Sequence, residues 1–173
     1  MLPTMRLPEE TFSLEHHIDS KRKIQNVTMD LTSLKSRAEA SERFSAVELD
    51  NNTLKCRAQD VESEAWYQLS TIDGQSMVML VTPDRWLSES IEADLMHTGD
   101  SLEELVEDEL VELGCPPNEG ANMVVQHFRS EELQYTFQTP LPADFEEDTI
   151  LRWLLAYEAA FHELGDMGGE EED

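Results

Sequence analysis

The chain has 173 residues, 39% of them apolar and 29% charged, a mixture that predicts one folded domain with polar ends rather than two domains or a wholly disordered chain. Its net charge of −26 disfavours direct binding to nucleic-acid phosphate or to anionic lipid. No apolar run nears the roughly 20 residues of a membrane helix, and residues 1–20 lack the basic-then-apolar order of a secretory signal, so a cytoplasmic protein without membrane insertion is expected.

Residues 1–29 show no sustained period, contain Pro3 and Pro8 and hold the basic cluster Lys21-Arg22-Lys23; they are expected to be a mobile leader. A first helix is expected from a cap at Asp30 through Leu31, Leu34 and Ala38 to about Glu42. Residues 44–49 alternate as a strand does, Asn51-Asn52 turns the chain, and residues 54–58 pair back. Residues 66–69 and 77–81 flank Asp73-Gly74, a dipeptide suited to the positive φ angles of a two-residue hairpin. The unbroken apolar run 77–81 predicts a central strand covered on both faces.

Thr82-Pro83-Asp84 is predicted to open a helix with Thr82 as cap, followed by Leu87, Ile91 and Leu95 at fourfold spacing. Ser101-Leu102-Glu103-Glu104 reads as a capping box, Leu102, Leu105, Val106, Leu110 and Leu113 as one apolar stripe, and Gly114 as the residue that ends the helix. A second hairpin, residues 123–128 and 133–138, is expected to turn through Ser130-Glu131-Glu132. A final amphipathic helix is expected from Asp148-Thr149 to Leu164, followed by an acidic tail at 166–173 that is expected to be disordered. The fold class is therefore α+β: an antiparallel sheet built from hairpins, with N-terminal, middle and C-terminal helices, in one domain at residues 30–165.

The acidity is uneven. Residues 1–60 hold nine Lys/Arg against ten Asp/Glu, whereas residues 61–173 hold three against 28. On the helix near 102–113, Glu103/Glu107 and Glu104/Asp108 are like charges four apart, each pair costing a few tenths of a kcal/mol, roughly a favourable pair with its sign reversed. A basic partner would relieve that cost, so Glu104, Glu107 and Asp108 are candidate contact residues. Trp153, Tyr157 and Phe161, with Arg152 beside them, are the aromatic candidates; the same spacing suits core packing.

Chemistry finds little support. The sequence has no HExxH, CxxC or GxSxG, no calcium-loop spacing of acids and no glycine-rich phosphate loop. No catalytic residue, metal site or cofactor is expected. Cys56 and Cys115 are too few for a disulfide framework and are expected to be buried or half-buried thiols. The adjacent pair His16-His17 lies in the leader.

The order helix, two hairpins, helix, hairpin, final helix resembles the type III secretion chaperone-like fold that the YbjN family shares. Residues 81–87, VTPDRWL, the run 105–110, LVEDEL, and residues 151–158, LRWLLAYE, are similar to a cyanobacterial and plastid branch of that group. The resemblance spans about residues 30–164 and departs from the group in its leader and in the additional segment 83–97. It implies a small acidic homodimer that holds a protein client along its sheet or helix surfaces without catalysis, as a chaperone or an assembly or regulatory factor. Two other readings stand beside it: an acidic mimic or regulator occupying the basic cleft of a nucleic-acid-binding protein, and an enzyme with a carboxylate site.

Overall fold

The computed structural model describes residues 29–142 and 144–168. The expected leader, except Met29, and the acidic residues 170–173 lie outside the described residues. Helix α1 (Leu31–Ala40) is capped by Asp30, whose carboxylate accepts the Ser33 N–H at 3.1 Å. Strands β1 (Phe44–Asp50) and β2 (Thr53–Ala58) are joined through Asn51 at φ 56°. Strands β3 (Trp66–Ile72) and β4 (Gln75–Thr82) turn through Asp73 and Gly74 at φ 51° and 78°, the pair of positive angles a twisted hairpin requires. Helices α2 (Arg85–Thr98) and α3 (Leu102–Glu112) follow, so the middle of the fold holds two helices. The second hairpin is shorter than its apolar pattern suggested, β5 (Gln126–Arg129) with β6 (Tyr135–Pro140), and helix α4 (Glu147–His162) closes the domain.

The six strands form one antiparallel sheet in the order β1-β2-β3-β4-β6-β5. Register sets two faces, because successive side chains of a strand point opposite ways. Leu54, Cys56, Tyr67, Leu69, Val78, Leu80 and Phe137 share the inner face and merge with the helices in one core. Met77 and Met79 point the other way and stand outside that core. The run 77–81 is thus central in the sheet, as expected, and Met77 and Met79 are 9% and 7% exposed, but none of the four helices among the described residues lies over its second face.

Two further boundaries differ from the sequence reading. The cap of α2 is Asp84, which accepts the Trp86 N–H at 2.9 Å, while Thr82 completes β4 and its hydroxyl accepts the Asp84 N–H at 3.0 Å. Pairing with Tyr135 of β6 holds Thr82 in the sheet and moves the helix start two residues on. At the other end, the domain runs past 165 rather than ending there: a 3-10 turn at Gly165–Gly168 follows α4, and Met167 is buried against the core.

That turn depends on one glycine. Gly165 has φ 52°, and a Cβ there would stand 2.6 Å from the Ser90 carbonyl carbon and 2.7 Å from the Ile91 nitrogen. Gly114, at φ 93°, has nothing within 4 Å of the same position. Gly165→Ala is expected to add a backbone clash to the left-handed penalty of about 1 kcal/mol and to lower the melting temperature by about 4–8 °C, against a smaller fall for Gly114→Ala. Equal melting curves for the two variants would refute this packing role.

Candidate functional site

The strands alternate so that the face away from the helices carries Lys55 and Arg57 from β2, Trp66, Gln68 and Ile72 from β3, Met77, Met79 and Val81 from β4, and Phe128 from β5. Lys55 Nζ lies 5.0 Å, and the Arg57 guanidinium carbon 5.9 Å, from the centre of the Trp66 ring, within cation–π range. Trp66 Nε1 donates to Glu64 at 3.0 Å, which fixes the indole. A groove of about 420 Å³ runs over this face, with Met79 and Val81 in its floor and Ile72 and Phe128 on its walls. Ile72 and Phe128 are 42% and 41% exposed.

The outward positions of β2 through β6 hold no Asp or Glu. Carboxylates stand at the borders, as Glu48 and Asp50 on edge strand β1, Glu64 on the Trp66 indole ahead of β3, and Glu132 in the β5–β6 turn. In a chain with 38 acidic residues this is the conspicuous apolar and weakly cationic surface. Exposed apolar side chains grouped on a sheet face, here Ile72 and Phe128 beside the buried Met77 and Met79, mark a candidate interaction surface.

The aromatic residues named from the sequence are elsewhere. Trp153, Tyr157 and Phe161 are 2%, 0% and 0% exposed; Tyr157 and Phe161 pack between α4 and the inner sheet face, while Trp153 stacks on Phe145 and borders a pocket of about 200 Å³ with Met123, Pro140 and Pro142. Phe161 packs edge-on to Phe137 with ring centres 5.2 Å apart, and the Tyr157 hydroxyl bonds to Thr139. Burial pushes the Tyr157 hydroxyl far above its ordinary titration range. Arg152 is half-buried beside the Cys115 thiol. The acidic candidates divide: Glu104 closes the capping box with Ser101, whereas Asp108 is exposed and Glu107 half-buried along α3.

A second constellation links α2 to β5. His127 Nε2 lies 3.1 Å from Ser88 Oγ, and His127 Nδ1 lies 2.8 Å from Glu92 Oε1, the order of groups found in serine hydrolases. Ser88, however, is 2% exposed and sits within a helix, with its N–H donated to the Asp84 carbonyl at 3.2 Å. It presents neither an accessible nucleophile nor a free N–H for an oxyanion. The three residues tie the edge strand to the helix, with the imidazole stacked on Phe137 at 3.8 Å.

Burial holds the His127 pKa below the ordinary 6.5, against the opposing pull of Glu92. The folded state then binds fewer protons than the unfolded chain, so this contribution is present above 6.5 and is lost as pH falls below it. His127→Asn is expected to flatten the loss of stability between about pH 7 and pH 5, and an NMR titration should place His127 below the ordinary histidine value. A midpoint at or above the ordinary value would contradict the burial argument.

Arg43 and Glu158 form the other inward ion pair, 3.1 Å apart, with the Glu158 side chain only 12% exposed. Glu109 stands nearby, its carboxyl pKa raised first by burial and then by Glu112. Cys56 is buried and its thiol is pushed up to about 12, which leaves almost no thiolate at neutral pH. Among the described residues, no group of three or more His, Cys, Asp and Glu is placed to hold a metal ion, and no helix is long and apolar enough to cross a membrane. Comparison with protein-family models, curated proteins and solved structures finds no match to this chain.

Proposed function

We propose that this domain is a non-catalytic protein-binding module, a chaperone-like or assembly factor that holds a protein client on the outer face of its sheet. One observation carries the reading: β4 is apolar on both sides, and the helices cover only the side bearing Val78 and Leu80. Met77 and Met79 are flexible, polarizable side chains that adapt to varied apolar partners, and Ile72, Phe128 and Trp66 widen the contact they offer. The buried Ser88 and the cysteine held as thiol leave binding, rather than chemistry, as what these groups support.

The acidic-mimic reading has its own support in the exposed carboxylates of α3, Asp108 and Glu112, beside the half-buried Glu107. Affinity purification from the native host with wild type, Met79→Lys and Glu107→Lys/Asp108→Lys separates the two. Loss of the partner with Met79→Lys alone supports the sheet face. Loss with the α3 variant alone moves the function to the acidic helix. The homodimer implied by the family resemblance is a separate proposal, and light scattering that returns the monomer mass would remove it.

A further inference from the structure

Four of the eight lysines and arginines among the described residues are answered by carboxylates. Lys35 pairs with Glu39, Arg37 with Glu147 and Asp148, Arg43 with Glu158, and Arg85 with Glu89. Lys55, Arg57, Arg129 and Arg152 make no ion pair among the described residues, although acidic residues outnumber basic ones by 38 to 12 in the chain, and of these four only Lys55 and Arg57 stand side by side on one sheet face. They are like charges two residues apart on the same face of β2, and both lean on Trp66. Even Glu48, directly opposite Lys55 on β1, forms no ion pair with it. Two adjacent cations outside ion-pair distance of any described carboxylate, at the edge of a groove that mixes Ile72, Met79, Val81 and Phe128 with polar side chains, make a ready receptor for carboxylates from outside the domain.

We propose that the occupant of the outer sheet face is an acidic and apolar stretch of another protein chain, its carboxylates received by Lys55 and Arg57 and its apolar side chains lying over Met79 and Val81. This rests on the reading of the sheet face as the binding surface and adds the chemistry of what binds. A second copy of this chain is disfavoured, because it would set the same two cations, and no carboxylate from five of its strands, against the first. A nucleic acid would find two cations and one indole, but each further phosphate would meet the field of a molecule with net charge −26. A short segment with two or three carboxylates bears far less of that repulsion, and its apolar side chains match the groove floor.

The charge arrangement sets an unusual salt dependence. At about 10 mM salt, where screening extends to about 30 Å, the whole acidic domain repels the segment; at about 0.15 M, with screening near 8 Å, distant repulsion is removed while the contact with Lys55 and Arg57 persists; near 1 M the contact weakens too. Binding is expected to peak at intermediate salt.

The test places a photo-reactive benzophenone amino acid at Gln68, in the centre of the face, in the full chain expressed in its native host, and sequences the cross-linked peptide. The expected product is a segment of another protein in which Asp or Glu alternate with apolar residues. Its yield should fall about tenfold or more in Lys55→Glu/Arg57→Glu, in the milder Lys55→Gln/Arg57→Gln, and in Ile72→Lys, a fall of about 1.4 kcal/mol in binding. Cross-links to a second copy, to residues 1–28 of the same chain or to nucleic acid would overturn the proposal. A yield unchanged by both charge variants but lost in Ile72→Lys would also overturn it, while leaving the sheet face as a protein-binding surface. A yield indifferent to all three variants, or no protein adduct, would remove both.

Discussion

Phe161→Ala is expected to cost about 3–5 kcal/mol of folding stability, the largest effect of any single truncation discussed above. Phe161 is completely buried, and its ring meets Phe137 of the sheet at 5.2 Å and Tyr157 of its own helix at 5.3 Å. Removing it opens a cavity between α4 and the inner sheet face, where neither rigid neighbour can move in to fill the space. Trp86→Ala provides the contrast: Trp86 is 74% exposed, so its loss is expected to change stability by no more than about 0.5 kcal/mol. Urea denaturation of both variants checks the pair. A wild-type midpoint for Phe161→Ala would mean that α4 does not pack as described and would return Phe161 to the list of contact residues.

Met79→Lys is expected to leave the fold nearly intact and to weaken partner binding by about 2–4 kcal/mol, roughly thirtyfold to a thousandfold in Kd. Met79 lines the groove on the face away from the helices of the described residues, so a lysine stem can follow the same path and lift its ammonium into water. A docked partner closes that exit and forces the charge into an apolar contact, where it has no counter-ion. Because Met79 is itself only 7% exposed, Ile72→Lys serves as the companion variant; Ile72 is 42% exposed, so the change there leaves the core untouched. Circular dichroism and melting curves establish that both variants are folded. Titration of the captured partner by fluorescence anisotropy then reads the effect, and two wild-type affinities would eliminate the sheet face as the binding surface.

The like-charge pairs of α3 are visible in the sequence, but their roles differ in the structure. Glu104 is occupied by the Ser101 backbone, and Glu103 accepts the Val125 N–H at 3.1 Å, so part of the acidic run braces the loop that leads into β5. Asp108 and Glu112 are exposed farther along the helix, and Glu104 is exposed at its start. The four-residue strand β5 is pinned at one end by this contact and beside α2 by His127, which explains how so short an edge strand is retained.

What the sequence determined by itself was local. Asp73-Gly74 specified its hairpin through the two positive φ angles that this dipeptide tolerates, Ser101 and Glu104 specified their capping box through a three-residue spacing, and the leucine stripe specified the buried side of α3. These depend on interactions between residues close in the chain, and the α+β class follows from their sum. Only the tertiary structure decided which apolar residues face water. Trp153, Tyr157 and Phe161 have the aromatic composition of a hot spot and lie in the core, because a helix that packs on a sheet must bury one broad stripe whatever its composition. Met77 and Met79 keep the burial that a two-sided apolar strand predicts, at 9% and 7% exposed, but lie on the sheet face away from the four helices of the described residues, where Ile72 and Phe128 are the exposed apolar side chains. Neighbouring Lys55 and Arg57 read as ordinary alternation in a strand; their unpaired state depends on where every carboxylate of the fold comes to rest, a long-range property that no local spacing encodes.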